Sequence, residues 1–314
     1  MRRLIAAILA PLAVTAALAG CGSSPSSSAS ADNSVKVTGS VGKEPTVKIP
    51  AKTASGDLVT KTLVHGSGPV LTAEDSYLAN FTVYVWHGTT SRLLTSSYGS
   101  NPQVLPVTMG LSGLQKALVG QHVGSRVLAV LPPKYAYGSA GNSQIGITAS
   151  DTMVWVVDLI RAFPPNASAT GKQLSNGGGP LPLVSATPGT APEIKIPKSA
   201  PPTKLVVKTL IKGTGAPVKA DQSIVVRYVG SIWRTGKVFN NNWPTPTQPT
   251  TPPNVFTLGQ LIPAWNTGLV GIPVGSRVLM VVPPAEGYGS KGSSGAGIKG
   301  TDTLVFVVDI LATV

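Results

Sequence analysis

The chain has 314 residues, of which 42% are hydrophobic and only 5% aromatic, with one cysteine, three histidines and a formal charge of +13. This length accommodates two domains of ordinary size; the single Cys21 excludes an intramolecular disulfide, and the isolated His65, His87 and His122 offer no metal-ligand spacing, so no metal is expected. The basic excess contains no Lys/Arg run and few stacking aromatics, which argues against a nucleic-acid groove and for a basic protein near an anionic surface.

Met1-Arg-Arg-Leu4 opens with two positive charges, Ile5 to Ala19 is apolar, and Leu18-Ala-Gly-Cys21 closes the segment with small residues. This pattern predicts a secretion signal over residues 1–20. Its ending resembles the lipobox of bacterial lipoproteins, which implies lipidation of Cys21 as the first mature residue. The alternatives are a secreted protein cut nearby or an uncleaved anchor. Gly22 to Ser40 is a Ser/Ala/Gly stretch that buries too little surface to offset its ordering entropy, so residues 21–45 are expected to form a flexible tether.

Beyond the tether the sequence repeats. Val47-Lys-Ile-Pro50, Leu58 to Val64 and Gly66-Ser-Gly68 return 147 residues later as Ile194-Lys-Ile-Pro197, Leu205 to Ile211 and Gly213-Thr-Gly215. Gly124-Ser-Arg-Val-Leu-Ala-Val-Leu-Pro-Pro-Lys-Tyr-Ala-Tyr-Gly-Ser139 returns 151 residues later as Gly275-Ser-Arg-Val-Leu-Met-Val-Val-Pro-Pro-Ala-Glu-Gly-Tyr-Gly-Ser290, with eleven of sixteen positions identical. Asp151 to Asp158 and Asp302 to Asp309 keep that spacing. A period this long describes two self-sufficient domains, 46–163 and 192–314. Residues 164–191, rich in Gly, Pro, Ser and Thr and containing Gly177-Gly-Gly-Pro180, are expected to be an interdomain linker.

Within each copy an early strand is predicted at Tyr77 to Trp86 and Ile224 to Trp233. The crossing that follows in the second copy includes Trp243 to Pro253, whose prolines forbid a central strand and predict a surface flap. One short helix follows, with Pro263 in its first turn, Trp265 and Leu269 on one face and Gly271 as its stop; in the first copy Ser112 caps it, Leu114 and Leu118 face inward and Gly120 stops it. Arg277 to Val282 reads as a strand ended by Pro283-Pro284, which supply no amide hydrogens to a ladder. Tyr288 then stands between two glycines, where a large polar-tipped ring can be aimed into a pocket. Many strands and one helix per copy give an α+β fold, an antiparallel sheet wrapped around one short helix. Gly287-Tyr-Gly-Ser-Lys-Gly292 matches a dinucleotide fingerprint by letter only, since no helix follows it.

The Pro-Pro stop, the Tyr-Gly loop and the final Thr-Leu-Val-Phe-Val-Val strand resemble the FKBP-type peptidyl-prolyl isomerases over most of each copy. The resemblance implies an apolar proline pocket floored by Trp265. Tyr228, Phe239, Leu261, Ile262, Tyr288, Ile298 and Phe306 match its other positions. Asn240 stands where the family has an aspartate after the phenylalanine, and Asn254 where an aromatic wall is expected. In the first copy Phe81, Leu94, Thr95, Leu114 and Trp155 replace members of this set, and only Tyr137 and Ile147 remain. The second domain is therefore expected to carry the isomerase activity.

The reaction implied is rotation about an X-Pro amide, which needs no nucleophile and no cofactor. The partners implied are X-Pro segments of unfolded secreted or envelope proteins, met by a monomer anchored to the bacterial cell membrane through Cys21. The alternative is a non-catalytic chaperone or peptide-binding module on the same fold.

Overall fold

The computed structural model describes residues 34–100, 103–108 and 110–314. The segment expected to be a secretion signal, Cys21 and the expected tether up to residue 33 lie outside the described residues. The first unit runs β1 (Lys36–Thr38), β2 (Thr46–Lys48), β3 (Val59–Val64), β4 (Ser76–His87), β5 (Thr90–Ser96), β6 (Gln103–Pro106), α1 (Ser112–Leu118), β7 (Arg126–Leu131) and β8 (Thr152–Phe163). After the connecting strand β9 (Lys172–Gln173), the second repeats the plan as β10 (Leu183–Ser185), β11 (Glu193–Lys195), β12 (Val206–Lys212), β13 (Ser223–Ile232), β14 (Val238–Asn241), β15 (Asn254–Thr257), α2 (Pro263–Leu269), β16 (Arg277–Val282) and β17 (Leu304–Thr313).

Each unit is an antiparallel sheet with its helix on one face. In the first the order is β3-β7-β8-β4-β5 with β6 also on β4; in the second it is β14-β13-β17-β16-β12-β9 with β15 also on β13. The helix of the second unit buries Ala264, Trp265, Gly268 and Leu269, and Gly271 at φ +83° turns the chain away beyond its end. Pro263 occupies the first turn as expected, whereas Ser112 does not cap α1: the N-cap is Leu111, without a side-chain bond. The repeated Gly-x-Gly turns exist for close approach, since a Cβ on Gly213 would meet the carbonyl oxygen of Val274 at 2.1 Å.

The segments expected as a loose tether and a loose linker are ordered layers where the structure describes them. β1 and β2 form a hairpin, as do β10 and β11, with equivalent residues again 147 apart. These hairpins cover the sheet faces opposite the helices: Val35, Val37, Val47 and Ile49 pack with Trp86, and Val184, Leu181, Ile194 and Ile196 pack with Trp233. Each repeat therefore begins earlier than the sequence suggests. Residues 164–191 still connect the units, but β9 pairs with β12, and the amide of Ala169 donates to the Asp309 carboxylate at 2.8 Å. A few valines and isoleucines in a Ser/Pro-rich stretch suffice because they meet a preformed apolar sheet, where each buried side chain contributes about 1.5–3 kcal/mol. Covering both faces also explains why β7 and β16 are buried at every residue, without alternation.

The units also pack against each other. Leu78, Val104 and Phe163 of the first form one cluster with Val225, Leu311 and Ala312 of the second, supported by Val255 and Val314. Leu78 and Val225, Val104 and Val255, and Phe163 and Val314 are equivalent pairs in the repeat. Both units thus present the same face to the contact, as in an isologous dimer.

Candidate active site

In the second unit the α2 helix lays Trp265 against one face of the sheet, 3% exposed. Three rings stand edge-on around the indole: Tyr228 at 5.5 Å and 86°, Phe256 at 5.6 Å and 86°, and Phe306 at 5.6 Å and 84° between centroids. Edge-to-face contacts of this kind hold a ring against tilting more firmly than area burial alone. Phe239 extends the wall by meeting Phe306 at 5.7 Å and 90°. Ile298 is buried beside them, and Leu261 and Ile262 are half-buried against the same cluster.

Tyr288 is 41% exposed, and its hydroxyl bonds to no described residue. Its loop begins after Pro283, and Ile298 returns to it through reciprocal backbone bonds with Ser293 of 2.8 and 2.9 Å. Burial, and then the neighbouring Tyr288 phenol, raise the pKa of the Tyr228 hydroxyl. The indole N–H of Trp265 likewise has no hydrogen-bond partner among the described residues. The site therefore combines an apolar floor and walls with one exposed, unengaged donor at its rim.

Of the residues singled out in the sequence, Tyr228, Phe239, Leu261, Ile262, Trp265, Ile298 and Phe306 converge on one cluster. Asn240 behaves otherwise: it is exposed on the edge strand β14 and forms no hydrogen bond to Tyr288. The amide that matters structurally is Asn242. Its Oδ1 accepts from the Tyr228 amide at 2.7 Å, and its Nδ2 donates to Val226 O at 2.8 Å and to Asn254 Oδ1 at 3.0 Å. The run Phe239-Asn-Asn-Asn242 held that signal, but only burial separates the third asparagine from the first. Asn254 is not the aromatic wall; Phe256, two residues along β15, supplies it.

Behind the site, Arg227 points to the opposite face of β13. It is 1% exposed, donates to the carbonyls of Asn242 and Thr251, the latter at 2.8 Å, and lies 5.9 Å from the Trp243 ring. The Trp243 to Pro253 flap is thereby fastened at both ends. With no carboxylate partner among the described residues, Arg227 has its pKa pushed down by burial to about 10.

The first unit lacks the floor. Leu114 occupies the tryptophan's position, and Phe81 and Trp155 meet tilted, 5.5 Å apart at 45°. The Trp155 indole N–H is buried without a hydrogen-bond partner among the described residues.

A family model described as FKBP-type peptidyl-prolyl cis-trans isomerase matches residues 72–160 and 214–311. The chain belongs to this family. Among FKBP relatives, the FK506-binding protein of Streptomyces anulatus is 36% identical over 123 residues, 38% of this chain and 95% of that protein. The probable FK506-binding protein of Corynebacterium glutamicum is 34% identical over 121 residues, 38% of this chain and 97% of that protein. FkpA of Escherichia coli, an FKBP-type peptidyl-prolyl cis-trans isomerase, is 36% identical over 109 residues, 35% of this chain and 37% of its own length. This FKBP is a peptidyl-prolyl cis-trans isomerase that assists protein folding.

Proposed function

We propose that the second unit performs the isomerisation, and that the chain acts as a monomer on X-Pro segments of extracytoplasmic proteins while held to the bacterial membrane by a lipid at Cys21. The observation that supports the first part is the Trp265 floor with its three edge-on rings beneath an unengaged Tyr288 hydroxyl. The barrier to X-Pro rotation, about 18–20 kcal/mol, comes from amide resonance. The planar amide is more dipolar than the twisted one, so an apolar pocket favours the twisted state. A Tyr288 hydrogen bond to a substrate carbonyl holds the turned backbone while the imide rotates. No covalent bond forms or breaks, and lowering the barrier by about 5 kcal/mol already accelerates the step by a factor between 10³ and 10⁴.

The first unit is read as a peptide-binding partner without efficient turnover, because it keeps the tyrosine loop but not the floor. Paired variants of the full-length chain test the division, with Tyr288→Ala expected to lower kcat/KM on a proline peptide at least about tenfold and Tyr137→Ala to change it less than about twofold. The reverse pattern would reassign the activity. For the anchor, Cys21→Ala is expected to release the protein from the membrane fraction or stall its processing. Wild-type protein found wholly soluble with an unmodified N-terminus would remove that part.

A further inference from the structure

Gly230 lies on the pocket face of β13, two residues beyond Tyr228 and opposite Phe306 in the ladder with β17. A Cβ there would lie 2.7 Å from Cζ and 3.1 Å from Cε2 of Phe239, and 3.0 Å from Cε1 of Phe306. The two rings therefore share the room that any other residue would fill. Glycine inside a strand weakens it, so its place in a buried central strand marks a close approach that something else requires. Here the requirement comes from two rings of the pocket wall.

The duplicate shows the opposite solution. Its equivalent residue is Val83, fully buried and paired in the ladder with Trp155 and Thr95. Leu94 stands where Phe239 does, and the wall ring Trp155 leans on Phe81. Volume has been exchanged as a set: Gly230, Phe239 and Phe306 in one unit, Val83, Leu94 and Trp155 in the other. We propose that Gly230 is a specificity-determining position of the isomerase. Its missing side chain lets Phe239 and Phe306 close into the wall against which the substrate segment fits, and Val83 denies the first unit that wall whatever its floor. This rests on the reading that the second unit's pocket is the active one.

The full-length chain carrying Gly230→Val or Gly230→Ala is assayed on two peptides that differ only in a bulky or a small residue before proline. The expected fall in kcat/KM is at least about tenfold for valine and about threefold for alanine, and the ratio between the two peptides shifts at least about threefold. A general loss of folded protein lowers both rates by one factor and leaves the ratio alone, so an unchanged ratio overturns the proposal. If Gly230→Val does not fold, the peptide ratio of the alanine variant decides in the same way. Trp265→Ala is measured in parallel: its inactivity alongside normal Gly230 variants removes this proposal alone, whereas its full activity removes the reading of the second unit as well.

Discussion

The two units carry their loop tyrosine on the same turn, at φ −95° and ψ 3° for Tyr137 and φ −91° and ψ 7° for Tyr288. Beneath that turn they part. One unit has an indole wedged among three rings, the other a leucine, a valine in place of a glycine and a tilted Phe-Trp pair. The faces behind the sheets diverge as well. In the first unit Arg126 bonds to Asp158 at 2.6 and 2.7 Å and grips the hairpin turn through the carbonyls of Gly39, Ser40 and Lys43. In the second, Arg277 bonds to Asp309 at the same distances but leaves the turn alone. A duplicated backbone thus preserves the loop and the buried ion pair, while side-chain volume reshapes what lies beneath each loop.

The largest expected effect concerns the ion pairs. Removing one partner of a buried pair costs about 3–5 kcal/mol because the other charge is left uncompensated. Asp158→Ala should destabilise more than Asp309→Ala: each carboxylate accepts one amide, from Gly42 at 2.6 Å and from Ala169 at 2.8 Å, but Asp158 also accepts from the Tyr98 hydroxyl at 2.7 Å. Chemical denaturation of the two variants checks the order, and equal losses would show that the Tyr98 bond adds nothing. Next comes the contact between units: Phe163→Ala should lose about 3 kcal/mol and split unfolding into two transitions, by the usual scale for large core deletions. A single unchanged calorimetric transition would mean that the shared face does not couple them.

A smaller change tests the floor itself. Trp265→Leu gives the second unit the first unit's residue type and should lower kcat/KM at least about tenfold, equivalent to about 1.4 kcal/mol of lost transition-state contact. Retained activity would detach the comparison from catalysis. The smallest effect belongs to Asn240→Asp, expected to leave stability and activity nearly unchanged because the side chain is exposed and the reaction transfers no proton. Asn242→Ala provides the contrast, since it orphans the buried Tyr228 amide at a loss of about 1–3 kcal/mol. If the two asparagines respond alike, the buried amide network does not position the strand.

The aromatic set around Trp265, apart from Phe256, came from the resemblance to the FKBP family; by itself the sequence determined the duplication, the strand ended by Pro-Pro, and the helix with proline at its start and glycine past its end. These last are local signals: periodicity, backbone permissiveness and repeated words need no partner elsewhere in the chain. Tertiary structure decided the rest. Val35, Val37, Leu181 and Val184 look solvated in a Ser/Pro-rich stretch until a sheet face is present to receive them. Gly230 reads as an ordinary strand defect until Phe239 and Phe306 are seen across it, and Asn242 differs from Asn240 only through burial. Leu78, Val225, Phe163 and Val314 are interchangeable apolar letters until the two units meet. Contacts between residues far apart in the chain settle such positions, and no window of sequence contains both partners.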